Sequence, residues 1–76
     1  MLHNVAIIKA ALQKHPYSEL NHLIDEWIFN DRHRGMLKDF LLHEHSYEKI
    51  AEDYGMSARH IARIIPKLEA QLFEKL

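Results

Sequence analysis

A chain of 76 residues is one small domain, with room for a modest core but not for a catalytic cleft with walls of its own. With 47% hydrophobic and 28% charged residues, two glycines, two prolines and no cysteine, it reads as an ordered globular protein, which excludes disorder, disulfide scaffolds and thiolate metal sites. The net charge of −1 excludes a protein that coats nucleic acid indiscriminately, because such binding is driven by many basic contacts.

Hydrophobic periodicity predicts an all-α fold, a small helical bundle of about five helices containing a helix-turn-helix. Asn4 is placed to cap a first helix in which Val5, Ile8 and Leu12 recur at helical spacing, flanked by Ile7 and Ala11, and His15 and Pro16 end it. Ser18 is the expected cap of the second, whose apolar face is Leu20, Leu23, Ile24, Trp27 and Ile28, with Asn30 and Asp31 closing it. The third helix starts near Arg32 and turns Met36, Leu37, Phe40 and Leu41 inward until His45. Ser46 caps a short fourth helix with Ile50, Ala51 and Tyr54 toward the core and Gly55 after its end. Ser57 caps the fifth. An apolar stripe runs on through Ile61, Ile65, Leu68, Leu72 and Leu76, yet Pro66 removes a backbone donor, so we expect a kink or short break there and a C-terminal helix from Lys67 to about Lys75. No segment alternates long enough for a strand.

The segment SYEKIAEDYGMSARHIARII, residues 46–65, carries the functional signal. Ala51, Gly55, Ile61 and Ile64 fall at the spacings by which a DNA-reading helix-turn-helix packs its two helices: a small residue at the crossing, a residue that tolerates positive φ in the turn, and inward residues on the second helix. Ser57, Ala58, Arg59, Ala62 and Arg63 are left facing outward, where a major groove would lie. Charge agrees with this division. Residues 1–31 carry two lysines against four acids, whereas residues 58–68 carry Arg59, Arg63 and Lys67 and no acid.

From Arg32 to Leu72 the pattern R-x-R-x-M-L, then L-L, then S-Y-E-x-I-A-E-x-Y-G-M-S-x-R-x-I-x-R-I resembles region four of bacterial sigma factors, the domain that recognises the promoter −35 element. Ser46, Tyr47, Glu48, Ile50, Ala51, Glu52, Gly55 and Ser57 stand where the signature of that family stands. The stretch SARHIAR, residues 57–63, is also similar to the reading helix of small phage-encoded transcription regulators of Gram-positive bacteria. Nothing in residues 1–31 resembles the parts of a sigma factor that engage polymerase and melt the −10 element. The resemblance therefore implies an independent regulator of phage or mobile-element type. Residues 1–31 would form an N-terminal helical pair for packing or dimerisation, residues 32–76 the sigma-like unit, and the two together one compact domain.

On this reading Arg59 and Arg63, one turn apart, suit contacts to guanine edges or phosphates, with Arg59 for bases and His60 at the groove edge. Lys67 would meet a phosphate. Ser46 and Tyr47 would face the DNA backbone at a helix N-terminus, and Arg34 and Lys38 would extend that track. The expected partner is double-stranded DNA, bound by a homodimer formed through the N-terminal helices or the Leu68/Leu72/Leu76 stripe, because one reading helix addresses only a few base pairs. The alternative is a protein-interaction module for RNA polymerase or a partner of sigma or anti-sigma type.

No enzyme is expected: the chain has no cysteine nucleophile, no G-x-S-x-G elbow and no phosphate-cradling glycine loop. No cofactor or metal is expected either. H-E-x-x-H is absent, and on a helix His43 and His45, two apart, would point about 200° away from each other. No apolar run approaches the roughly 20 residues of a membrane span. The start, MLHNVAIIKAALQKH, lacks the marks of a secretory signal, so a cytoplasmic protein is expected.

Overall fold

The structure, a computed structural model, describes residues 5–76; the expected cap Asn4 and the side chain of Val5 lie outside what is described. Five helices follow in order: α1 (Val5–Leu12), α2 (Tyr17–Trp27), α3 (Asp31–Leu41), α4 (Tyr47–Tyr54) and α5 (Ala58–Phe73). The described residues include no strand, and the fold is the all-α bundle that the periodicity predicts. None of these helices is long and apolar enough to cross a membrane.

One core receives side chains from every helix: Ile8 and Leu12 of α1, Leu20 and Ile24 of α2, Met36, Leu37, Phe40 and Leu41 of α3, Ile50 and Ala51 of α4, and Ile61, Ile65, Leu68 and Leu72 of α5. The longest helix, α5, packs against each of the other four. Residues on either side of position 31 therefore share a single apolar interior. Across it, Gln13 Nε2 donates to the Leu41 carbonyl at 3.0 Å, tying the end of α1 to the end of α3.

Three helix boundaries differ from expectation, each for a local reason. α2 begins at Tyr17 with Pro16 as its N-cap: the proline's extended ψ of 150° opens the helix and its carbonyl accepts from Leu20 N at 3.0 Å, so Ser18 lies inside the first turn and caps nothing. α2 also ends early, at Trp27. Asn30 caps α3, its side chain accepting from His33 N at 3.0 Å, rather than closing α2. α3 in turn stops at Leu41, and His43 to His45 form a loop in which Glu44 takes a left-handed φ of 55°.

The largest departure is at Pro66, which lies within a continuous helix from Ala58 to Phe73; neither a break nor a separate C-terminal helix is present. The carbonyl that a residue at position 66 would have bonded belongs to Ala62, on the exposed side, where water can take the place of the missing donor. The buried face of Ile61, Ile65, Leu68, Glu69 and Leu72 then continues across the proline without interruption. Burial of Leu68 and Leu72 in this core leaves Leu76 alone of the expected dimer stripe exposed.

Candidate nucleic-acid interface

α4, the turn and α5 follow the local chemistry of their residues. Ser46 caps α4, its Oγ accepting from Lys49 N at 3.1 Å. Gly55 ends it in the left-handed region at φ 66°, ψ 37°. Met56 N then donates to Ala51 O at 2.9 Å and Gly55 N to Glu52 O at 3.4 Å, the paired bonds of a Schellman turn. Ser57 at once caps α5, with its Oγ accepting from His60 N at 3.1 Å. Only residues 55–57 separate the two helices, and the small, buried Ala51 lies on the packed side of α4.

Arg59, His60, Ala62, Arg63 and Lys67 are all exposed on α5, as expected, and Ser46 and Ser57 are exposed at the two helix starts. Other expected residues are placed differently. Ala58 is half-buried and packs on the core. Ile64, expected to point inward, is half-buried and packs against the core, beside the fully buried Ile65. The ring of Tyr47 stacks on Phe40 at 5.2 Å, and burial, followed by the nearby Glu69, pushes its hydroxyl above the ordinary value. That ring covers the core edge instead of facing outward.

Arg34 and Lys38, expected to extend a phosphate track, have partners within the protein. Arg34 donates to the carbonyls of Ile28 at 2.9 Å and Phe29 at 3.0 Å and pairs with Asp31, closing the end of α2. Lys38 Nζ lies 2.6 Å from Asp25 Oδ1, and this bond holds the Asp25 carboxyl below the usual carboxylate range. Arg32 donates to the Tyr54 carbonyl at 3.1 Å, where a cation meets the C-terminal end of α4. The turn-to-helix cations are thus split into two sets: those on α3 hold helices together, and those on α5 face solvent.

A cleft of about 370 Å³ adjoins the exposed face of α5, lined by His33 from the first turn of α3 and by His60, Arg63, Ile64, Lys67 and Leu68. His33 is a residue that sequence reasoning missed. Its signal is the R-H-R triplet of residues 32–34, whose two arginines bond to backbone carbonyls and leave the imidazole at the cleft.

A second cluster joins α3, the following loop and α4, where ligand atoms of Asp39, His45 and Asp53 lie within 4.8 Å of one another. The spacing argument against His43 and His45 does not apply here, because both lie in a loop rather than on a helix, with rings 5.9 Å apart. Among the described residues, Asp39, His45 and Asp53 form the group that could hold a cation. Lys49 Nζ already lies 2.8 Å from Asp53 Oδ1 and supplies positive charge there, its own pKa raised by that bond.

No family model, curated protein or solved structure matches the chain.

Proposed function

We propose that the protein is a sequence-specific regulator that binds double-stranded DNA and reads it with α5 in the major groove. The observation that carries this reading is the exposed, acid-free run of Arg59, His60, Arg63 and Lys67 on the helix that follows a capped, glycine-ended turn. In the complex Arg59 contacts base edges and Arg63 a guanine edge or a phosphate, each bidentate base contact contributing roughly 1–3 kcal/mol of discrimination. Lys67 meets a phosphate. Ser46 and Ser57 present helix N-termini toward the backbone. The resemblance of residues 32–72 to region four of bacterial sigma factors, and of residues 57–63 to small phage-type regulators, supports the same reading. On it the chain acts by binding, with no catalytic residue.

Sequence coverage calls for a second copy of the chain, since one helix addresses only a few base pairs. With Leu68 and Leu72 buried, that contact is expected through the N-terminal helices, which expose Ile7 and Tyr17.

The test is a titration of duplex DNA across a salt series with wild type and Arg59→Ala. Affinity should fall steeply with salt, and Arg59→Ala should lose roughly tenfold on a specific site. Retention of wild-type affinity and sequence preference in Arg59→Ala would leave α5 without a reading role and favour a protein partner such as RNA polymerase.

A further inference from the structure

The cleft between α3 and α5 gathers four cation-forming side chains, His33, His60, Arg63 and Lys67, over an apolar floor of Ile64 and Leu68. No carboxylate lines it. Among the described residues none of the four side chains has a hydrogen bond or ion pair, although Arg34, Lys38 and Lys49 each pair with an aspartate. Like charges gathered without a counter-charge repel one another, and a bound anion would relieve that repulsion.

We propose that this cleft receives a backbone phosphate of the bound DNA, and that protonation of His33 and His60 tightens the complex as pH falls. The inference rests on α5 being the DNA-reading helix and adds to it a named phosphate site and a form of regulation. Arg63 offers a planar fork and Lys67 a point charge, and both suit phosphate oxygens. A neutral imidazole presents one donor and one lone pair, whereas its protonated form presents two donors and a positive charge. Phosphate binding therefore takes up protons at His33 and His60. The other charged groups facing the cleft, Arg63 and Lys67, belong to types that keep their charge through neutrality, so the two histidines carry the pH response.

Two readouts separate this proposal from the DNA-reading hypothesis beneath it. In the first, inorganic phosphate is titrated into the full chain while histidine ring signals are followed by NMR. His33 and His60 should move together while the exposed His22 and His43 stay still, and Arg63→Ala/Lys67→Ala should abolish the movement. Unmoved His33 and His60 signals would overturn the cleft as a phosphate site, whatever happens with DNA. In the second, affinity for a labelled pool of random duplexes is compared at about pH 6 and pH 8 in wild type and His33→Gln/His60→Gln. Wild type should bind roughly tenfold more tightly at the lower pH, and the double variant should bind alike at both. Equal pH dependence in the two proteins would overturn the role of the histidines. Phosphate-dependent shifts without any duplex binding would overturn DNA as the source of the phosphate, and with it the proposed function, while keeping the cleft as an anion site.

Discussion

Gly55 and Ser57 set the geometry between α4 and α5, and both were legible because their chemistry is local. At Gly55 an added Cβ would meet nothing within 4 Å, so Gly55→Ala would cost only the strain of a left-handed backbone. Destabilisation of about 1 kcal/mol is expected, read as a lower urea midpoint with unchanged slope. Ser57→Ala removes the cap on His60 N and should cost about 1 kcal/mol in the same assay. Glu69 was not legible as a buried group. It sits in the apolar register of α5, fully buried, with neither carboxylate oxygen hydrogen-bonded among the described residues, although Lys9 lies near enough to oppose the effect of burial. Burial raises its pKa from 4.5 to about 7. The folded protein thus keeps a proton that the unfolded chain releases, so stability falls as pH rises from 4.5 toward 7 and the effect levels off above that. Glu69→Gln should flatten this slope and be the more stable protein at alkaline pH by up to about 3 kcal/mol. Chemical denaturation across the pH range checks it, and an unchanged slope would speak against a buried, neutral carboxyl.

At the scale of elements, five helices and their inward faces were readable from periodicity, whereas ends depended on partners distant in sequence. Arg34 reaches back to the carbonyls of Ile28 and Phe29, so α2 ends without needing Asn30, which is then available to cap α3. No local pattern announces such a reach. Pro66 illustrates the opposite limit: its local rule says break, but the buried stripe of Ile61, Ile65, Leu68 and Leu72 runs across it in one continuous helix. The cost of the lost bond remains in the native state. Pro66→Ala should restore the donor to the Ala62 carbonyl and stabilise the protein by about 1 kcal/mol or more, seen as a higher thermal midpoint. A lower midpoint would mean that the proline ring itself packs productively.

Across the whole molecule, charge is sorted by task. Cations on α3 and α4 pair internally, and those on α5 are left for solvent or a ligand, which is how a chain of net charge −1 can present a basic face. The excess on residues 58–68 was visible in sequence; the pairing of Arg34 and Lys38, which removes them from that face, became visible only when α2 and α3 were seen side by side. The most direct measurement of whether α5 reads DNA is selection from a pool of random duplexes, with sequencing of the bound fraction for wild type and for Arg59→Ala/Arg63→Ala. A DNA-reading α5 yields an enriched motif that disappears in the double variant; no enrichment, or a motif that survives both substitutions, would mean that α5 does not read DNA.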